Sequence, residues 1–133
     1  MGSKGTMAAE VSRKELRGDL QVLLVITAGP EKGKKIEIKY MEISIGRSGS
    51  DNRYDVEIND NYISGSAGAH AFINFSGSNI YLQDNESTNG TFIDGVPAKK
   101  DLVEEIIPRK TVVRLGKVTE FQIDIRKRPP KPA

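Results

Sequence analysis

The chain has 133 residues, 29% of them charged and 37% hydrophobic, with a net charge of +2 and no cysteine. That length and balance predict one domain with a core that needs no disulfide or metal staple. Thiolate zinc sites and redox motifs are excluded, the interspersed charge demands no nucleic-acid partner, and the absence of cysteine, signal peptide and membrane-length apolar run favours the cytoplasm.

Met1 to Thr6 reads as an expression remnant and Met7 as the natural start. Ala8 to Arg17 suits a short helix stopped by Gly18, too short to hold unless it packs on something. Residues 1–18 are therefore expected to be a flexible tail. From there the periodicity is that of strands. Leu20 to Thr27 is apolar on both faces, as a central strand would be. In Lys34 to Tyr40, Ile36, Ile38 and Tyr40 alternate with Lys35, Glu37 and Lys39. Ile43 and Ile45 lead into Gly46-Arg47, and Val56 and Ile58 alternate with Asp55, Glu57 and Asn59. Ala71, Ile73 and Phe75 face away from His70, Phe72 and Asn74, and Ile80 and Leu82 form another short strand. Phe92-Ile93 and Val96-Pro97 flank Asp94-Gly95, a type I′ hairpin signal. Val112 to Leu115 ends at Gly116, and Phe121, Ile123 and Ile125 close the domain. Arg126 to Ala133 is basic and proline-rich, the composition of an extended linker. Many short strands separated by turn residues predict an all-β, antiparallel sandwich over residues 19–125.

Three groups at the loop ends of this scaffold suit a phosphate. Arg47 directly follows a glycine after a strand, and its planar donors match phosphate oxygens. Ser64-Gly65-Ser66-Ala67-Gly68 offers hydroxyls and unobstructed main-chain N–H groups, the makings of an anion nest. Asn89 has an amide that donates and accepts at once, as a grip on a peptide main chain requires.

In order along the chain these residues resemble the forkhead-associated (FHA) domain family. The resemblance rests on Gly46-Arg47, on Asp55-Val56-Glu57-Ile58 through Ser64, on His70-Ala71, and on Leu82-Gln83-Asp84. The most specific block is Ser87-Thr88-Asn89-Gly90-Thr91-Phe92-Ile93-Asp94-Gly95, and Val113 to Gly116 with Phe121 resemble the closing strands. It implies a SMAD/FHA-like sandwich of about eleven strands that binds phosphothreonine peptides made by a Ser/Thr kinase, with no cofactor. It also implies that Arg47 and Ser64 hold the phosphate, Gly65 and Ser66 contribute from the same loop, and Asn89 holds the peptide main chain. Gly46, His70, Gly90 and Thr91 are implied as structural support. One departure stands out. Counting back from His70 puts the family serine at Ala67 rather than Ser64, so three glycine-rich residues are inserted within Gly65 to Ala69, and Gly65 replaces an arginine common in the family. Loop N–H groups then substitute for that arginine, or the module binds partners independently of phosphate. Specificity is expected from Ser48 to Tyr54 and Ser64 to Ala69, with Arg53 favouring an acidic neighbour.

Other chemistries fit less well. Gly65-Ser66-Ala67-Gly68 lacks the first glycine of a nucleophile elbow and no helix follows it. No Gly-Lys-Ser/Thr sequence makes a nucleotide loop. Asn74, Asn85 and Asn89 sit in glycosylation patterns that turn-rich β-proteins generate by chance. Arg126-Lys127-Arg128 lacks an aromatic stacking platform for nucleic acid, though with Pro129 and Pro132 it matches a proline-ligand pattern.

Overall fold

The computed structural model describes residues 13–99 and 102–128. Eleven strands form two sheets. They are β1 (Leu20–Ala28), β2 (Lys35–Ile38), β3 (Glu42–Arg47), β4 (Val56–Ile58), β5 (Ala71–Ser76), β6 (Asn79–Asp84), β7 (Thr91–Ile93), β8 (Val96–Pro97), β9 (Val103–Ile106), β10 (Val113–Leu115) and β11 (Thr119–Lys127). One sheet has the order β2-β1-β11-β10-β7-β8 and the other β4-β3-β5-β6-β9. Alternation explains the layering. Ala71, Ile73 and Phe75 of β5 and Ile80 and Leu82 of β6 turn inward onto Val22, Leu24, Ile26, Phe121 and Ile123 of the facing sheet. Each such aliphatic side chain, fully buried, contributes about 1.5–3 kcal/mol.

The sandwich is as expected, with four local differences. First, β3 and β4 pair in parallel, Ile45 with Val56 and Arg47 with Ile58. Residues 48–55 carry the chain back along β3 before β4 starts, so β4 runs the same way. Second, β9 had no counterpart in the sequence reading. Leu102-Val103-Glu104-Glu105-Ile106-Ile107 shows no two-residue alternation, because at a sheet edge only Ile106 is buried. Third, the expected helix does not form over the described part of its span. Arg13 to Arg17 run extended, with Leu16 N–H donating to Lys39 O (2.8 Å) and Met41 N–H to Lys14 O (2.9 Å). Pairing with the strand segment around Tyr40 satisfies this main chain without a helix, and it places Arg13 to Gly18 on the domain rather than in a tail. Residues 1–12 lie outside the described residues. Fourth, the expected linker starts later, since Arg126 and Lys127 still pair with β1. Pro129 to Ala133 also lie outside the described residues.

The turn signal at Asp94-Gly95 carries positive φ at both residues (49° and 82°), as a type I′ hairpin requires. β11 starts beside the loops described next and ends eight residues on, about 27 Å away, where Lys127 pairs with Leu20, the first residue of β1.

Candidate functional site

Four connections meet at one end of the sandwich: residues 48–55, 59–70, 85–90 and 116–118. The β4–β5 connection is the hub, and Arg47, Asn89 and Gly90 tie to it. Arg47 donates its N–H to Ser64 O (3.0 Å), and its Nη1 lies 3.5 Å from Ile63 O, at the limit of hydrogen bonding. Its guanidinium lies against Gly65, where a Cβ would stand 2.9 Å from Nη2 and 2.8 Å from Ser50 Cβ. Glycine at 65 thus makes room for Arg47. Among the described residues no carboxylate pairs with that guanidinium.

The Ser64 and Ser66 hydroxyls hydrogen-bond to one another at 3.1 Å, and Ser66 N–H donates to Ser64 Oγ at 3.3 Å. The N–H groups of Gly65, Ala67 and Gly68 find no acceptor among the described residues. The inserted loop is firmly closed. Asn85 Nδ2 donates to Gly68 O and Ala69 O, leaving no room for a Cβ at Gly68. Ala69 takes φ 73°, a conformation that costs a non-glycine residue about 1–2 kcal/mol. Two further side chains, which the sequence reading did not single out, brace it. Asn52 Nδ2 donates to Gly65 O (2.9 Å) and Tyr54 Oη to Ser66 O. The Tyr54 ring lies on Gly46, where any Cβ would collide with it. Tyr54 is the one aromatic residue in an otherwise polar connection, and that was the available signal.

His70 is fully buried rather than on the solvent face that simple alternation gave it, because the strand proper begins only at Ala71. Its Nδ1 accepts Ser64 N–H (2.9 Å) and its Nε2 donates to Gly90 O (2.9 Å), which fixes one neutral tautomer and clamps two loops together. Gly90 needs its φ of 86° to present that carbonyl, which also accepts Gly116 N–H (2.9 Å). Asn89 Nδ2 donates to Tyr62 O (3.1 Å), while its Oδ1 finds no partner among the described residues. Below them Asp84, itself buried, accepts Ser87 N–H (3.2 Å), the Ser87 hydroxyl and the Thr91 hydroxyl (2.6 Å). Arg47, Ser64, Gly65, Ser66 and Asn89 thus share one loop end, with Gly46, His70, Gly90 and Thr91 behind them. Arg53 is exposed on the neighbouring connection and pairs with no carboxylate among the described residues.

Burial holds the His70 pKa below the ordinary histidine value, against the opposing pull of the Gly90 carbonyl and the carboxylates of Asp84 and Asp60. The unfolded chain therefore takes up a proton near pH 6.5 that the folded chain refuses. Stability is full above about pH 6.5 and falls as the pH drops from there towards the folded-state pKa, by at most about 1.4 kcal/mol per unit. The lowered carboxyls of Asp19, Glu31 and Asp124 act at more acid pH. Urea midpoints should fall between pH 7 and 5.5, and His70→Gln should flatten that slope. An unchanged slope in the variant would assign the effect elsewhere.

A cleft of about 440 Å³ opens at the opposite end between Leu16, Leu20, Val22, Phe75, Ile80 and Ile125. Its walls are mainly apolar and Arg17 at its rim is paired with Asp19, so it lacks the converging donors a phosphate needs. Among the described residues no His/Cys/Asp/Glu cluster could hold a metal ion, and no helix is long and apolar enough to cross a membrane.

The model of the family described as FHA domain matches residues 43–116. The FHA domain-containing protein FhaB of Mycobacterium tuberculosis is 33% identical over 94 residues, which are 71% of this chain and 55% of that protein. The chain thus spans about half the length of that relative. Among solved structures, the FHA domain of an Arabidopsis thaliana hypothetical protein superposes with a TM-score of 0.70 at 24% identity, covering 84% of this chain and 91% of that one. An FHA domain solved in work on phosphothreonine-dependent FHA domain interactions has a TM-score of 0.61 at 23% identity, covering 78% and 95%.

Proposed function

The chain belongs to the FHA domain family, and on that footing we propose that it is a phosphothreonine-peptide-binding module that docks phosphorylated partner proteins in signalling. The observation that carries this reading is the Arg47 guanidinium, without a carboxylate partner among the described residues and laid against Gly65, in the loop end that also bears the Ser64–Ser66 hydroxyl pair. A phosphate brings a charge of roughly −1.5 to −2 and three acceptor oxygens. Arg47 supplies the charge and a fork of donors, and Ser64 a hydroxyl. Gly65, Ala67 and Gly68 supply N–H groups in place of the missing arginine, and Ser66 a second hydroxyl. Asn89 grips the peptide main chain with the free half of its amide. Gly46, His70, Gly90 and Thr91 hold these groups in place. The relative studied for phosphothreonine-dependent interactions supports the ligand class.

This is recognition without turnover. His70 uses both ring nitrogens in holding loops together, so neither is free to serve a nucleophile as base. A Ser/Thr kinase must create the ligand, and a phosphorylated protein is the partner.

Titration with a matched pair of threonine peptides, phosphorylated and not, tests the reading. Binding should require the phosphate. Equal affinities would instead assign the module to phosphate-independent docking. The same assay probes the inserted loop. In Gly65→Ala the new methyl meets both Ser50 Cβ and the Arg47 guanidinium, and affinity for the phosphopeptide should fall about tenfold, or 1.4 kcal/mol, with some loss of melting temperature from the Ser50 contact. Unaltered affinity would mean that Arg47 works from another position.

A further inference from the structure

We propose that the outer face and open edge of the β9 sheet form a second docking surface, separate from the phosphate loops. Its partner is an extended, unphosphorylated segment carrying an aliphatic side chain and a lysine or arginine two positions apart. Of the seven exposed large hydrophobic residues among those described, Phe72, Leu102, Val103 and Ile107 gather here, on β5 and on and around β9. Register sets two of them, Phe72 and Val103, in one row, since Phe72 pairs with Gln83 and Gln83 with Val103, while Leu102 and Ile107 directly flank β9 in the chain. The next row sets Asn74 beside Tyr81 and Tyr81 beside Glu105. A cavity of about 200 Å³ lies over these two rows. Scattered exposed apolar side chains are ordinary, but a contiguous group marks an interaction site.

Among the described residues the edge itself is open: β9 ends the five-stranded sheet and pairs with β6 alone. It carries neither lysine nor proline, and its protection against pairing is limited to its short length and the charges of Glu104 and Glu105. An added strand would continue the sheet and set its own side chains beside those of β9. Val103 and Glu105 are exposed on the outer face, two residues apart. A partner strand therefore meets one apolar and one acidic position in alternate places. Charge settles which partner fits. Strand residues on this outer face include Glu42, Glu57 and Glu105 and no lysine or arginine. A basic segment complements that field. A second copy does not, because pairing two β9 strands puts the Glu104 and Glu105 residues of both into one ladder.

The test uses an eight-residue peptide without phosphate, with valine and lysine alternating on one face and threonine on the other. It is titrated into ¹⁵N-labelled protein. Amide shifts should centre on Val103 to Ile106 and Phe72. Glu105→Lys, an exposed change that leaves the melting temperature in place, should weaken binding at least tenfold. A peptide with glutamate for lysine should regain affinity for that variant, while Arg47→Ala should bind the original peptide normally. Shifts centred on Ser64 to Ser66, no effect of Glu105→Lys, or a Val103-dependent dimer in sedimentation with no peptide bound would each overturn the proposal.

Discussion

Arg47→Ala should weaken phosphothreonine-peptide binding about 10- to 150-fold, the range that corresponds to losing one charge-assisted contact worth about 1.5–3 kcal/mol. Isothermal titration at fixed ionic strength measures it. The fold should survive, because the side chain is only half-buried and its one hydrogen bond, to Ile63 O, is long. The main-chain bond from Arg47 N–H to Ser64 O is kept in any variant. Arg47→Lys separates charge from geometry. A lysine restores the charge but not the two-pronged donor fork, so it should recover only part of the loss. If Arg47→Ala binds the phosphopeptide as well as the parent does, the proposed site is wrong.

Asp84→Ala should cost about 3–5 kcal/mol of stability, the largest effect expected of any single polar substitution here. Three donors converge on this buried carboxylate: Ser87 N–H, the Ser87 hydroxyl and the Thr91 hydroxyl. Each donor left unsatisfied in a buried place costs about 1–3 kcal/mol, and the total is less than additive because the hydroxyls can rotate towards other acceptors. Urea unfolding gives the number. Asp84→Asn keeps the shape and one acceptor, so it should lose less. The same network holds the turn that carries Asn89, so peptide affinity should fall with stability in Asp84→Ala. A variant as stable as the parent would show that this carboxylate supports nothing.

Strand phase was legible wherever one face is buried, because burial and side-chain alternation share a period. Ala71, Ile73 and Phe75 are the clearest case. β9 was not legible because its one buried residue, Ile106, leaves no pattern to read. His70 misled for a related reason. Alternation fixes a side chain's direction only inside a strand, and His70 stands one residue outside, with Ala69 before it at φ 73°. The parallel β3–β4 pair was hidden because strand direction depends on where a connection leads, not on its composition. In the proposed site, Arg47, Ser64 and Asn89 stand out through an ordered pattern of residue types, and the fold brings them to one loop end. Asn52, Tyr54 and Asn85 were not, because their work is to hold the main chain of a loop whose path no pattern records.

The pairing of Leu20 with Lys127 has a practical outcome. Neighbouring strands lie about 5 Å apart, so Leu20 and Lys127 stand side by side at the end remote from Arg47. A splice at that pair would leave out Arg13 to Gly18 and with them the Arg13–Asp55 ion pair of 3.0 Å, so a graft into an unrelated carrier should carry this segment too. The loops proposed to take the phosphate would then stand about 27 Å clear of Lys127.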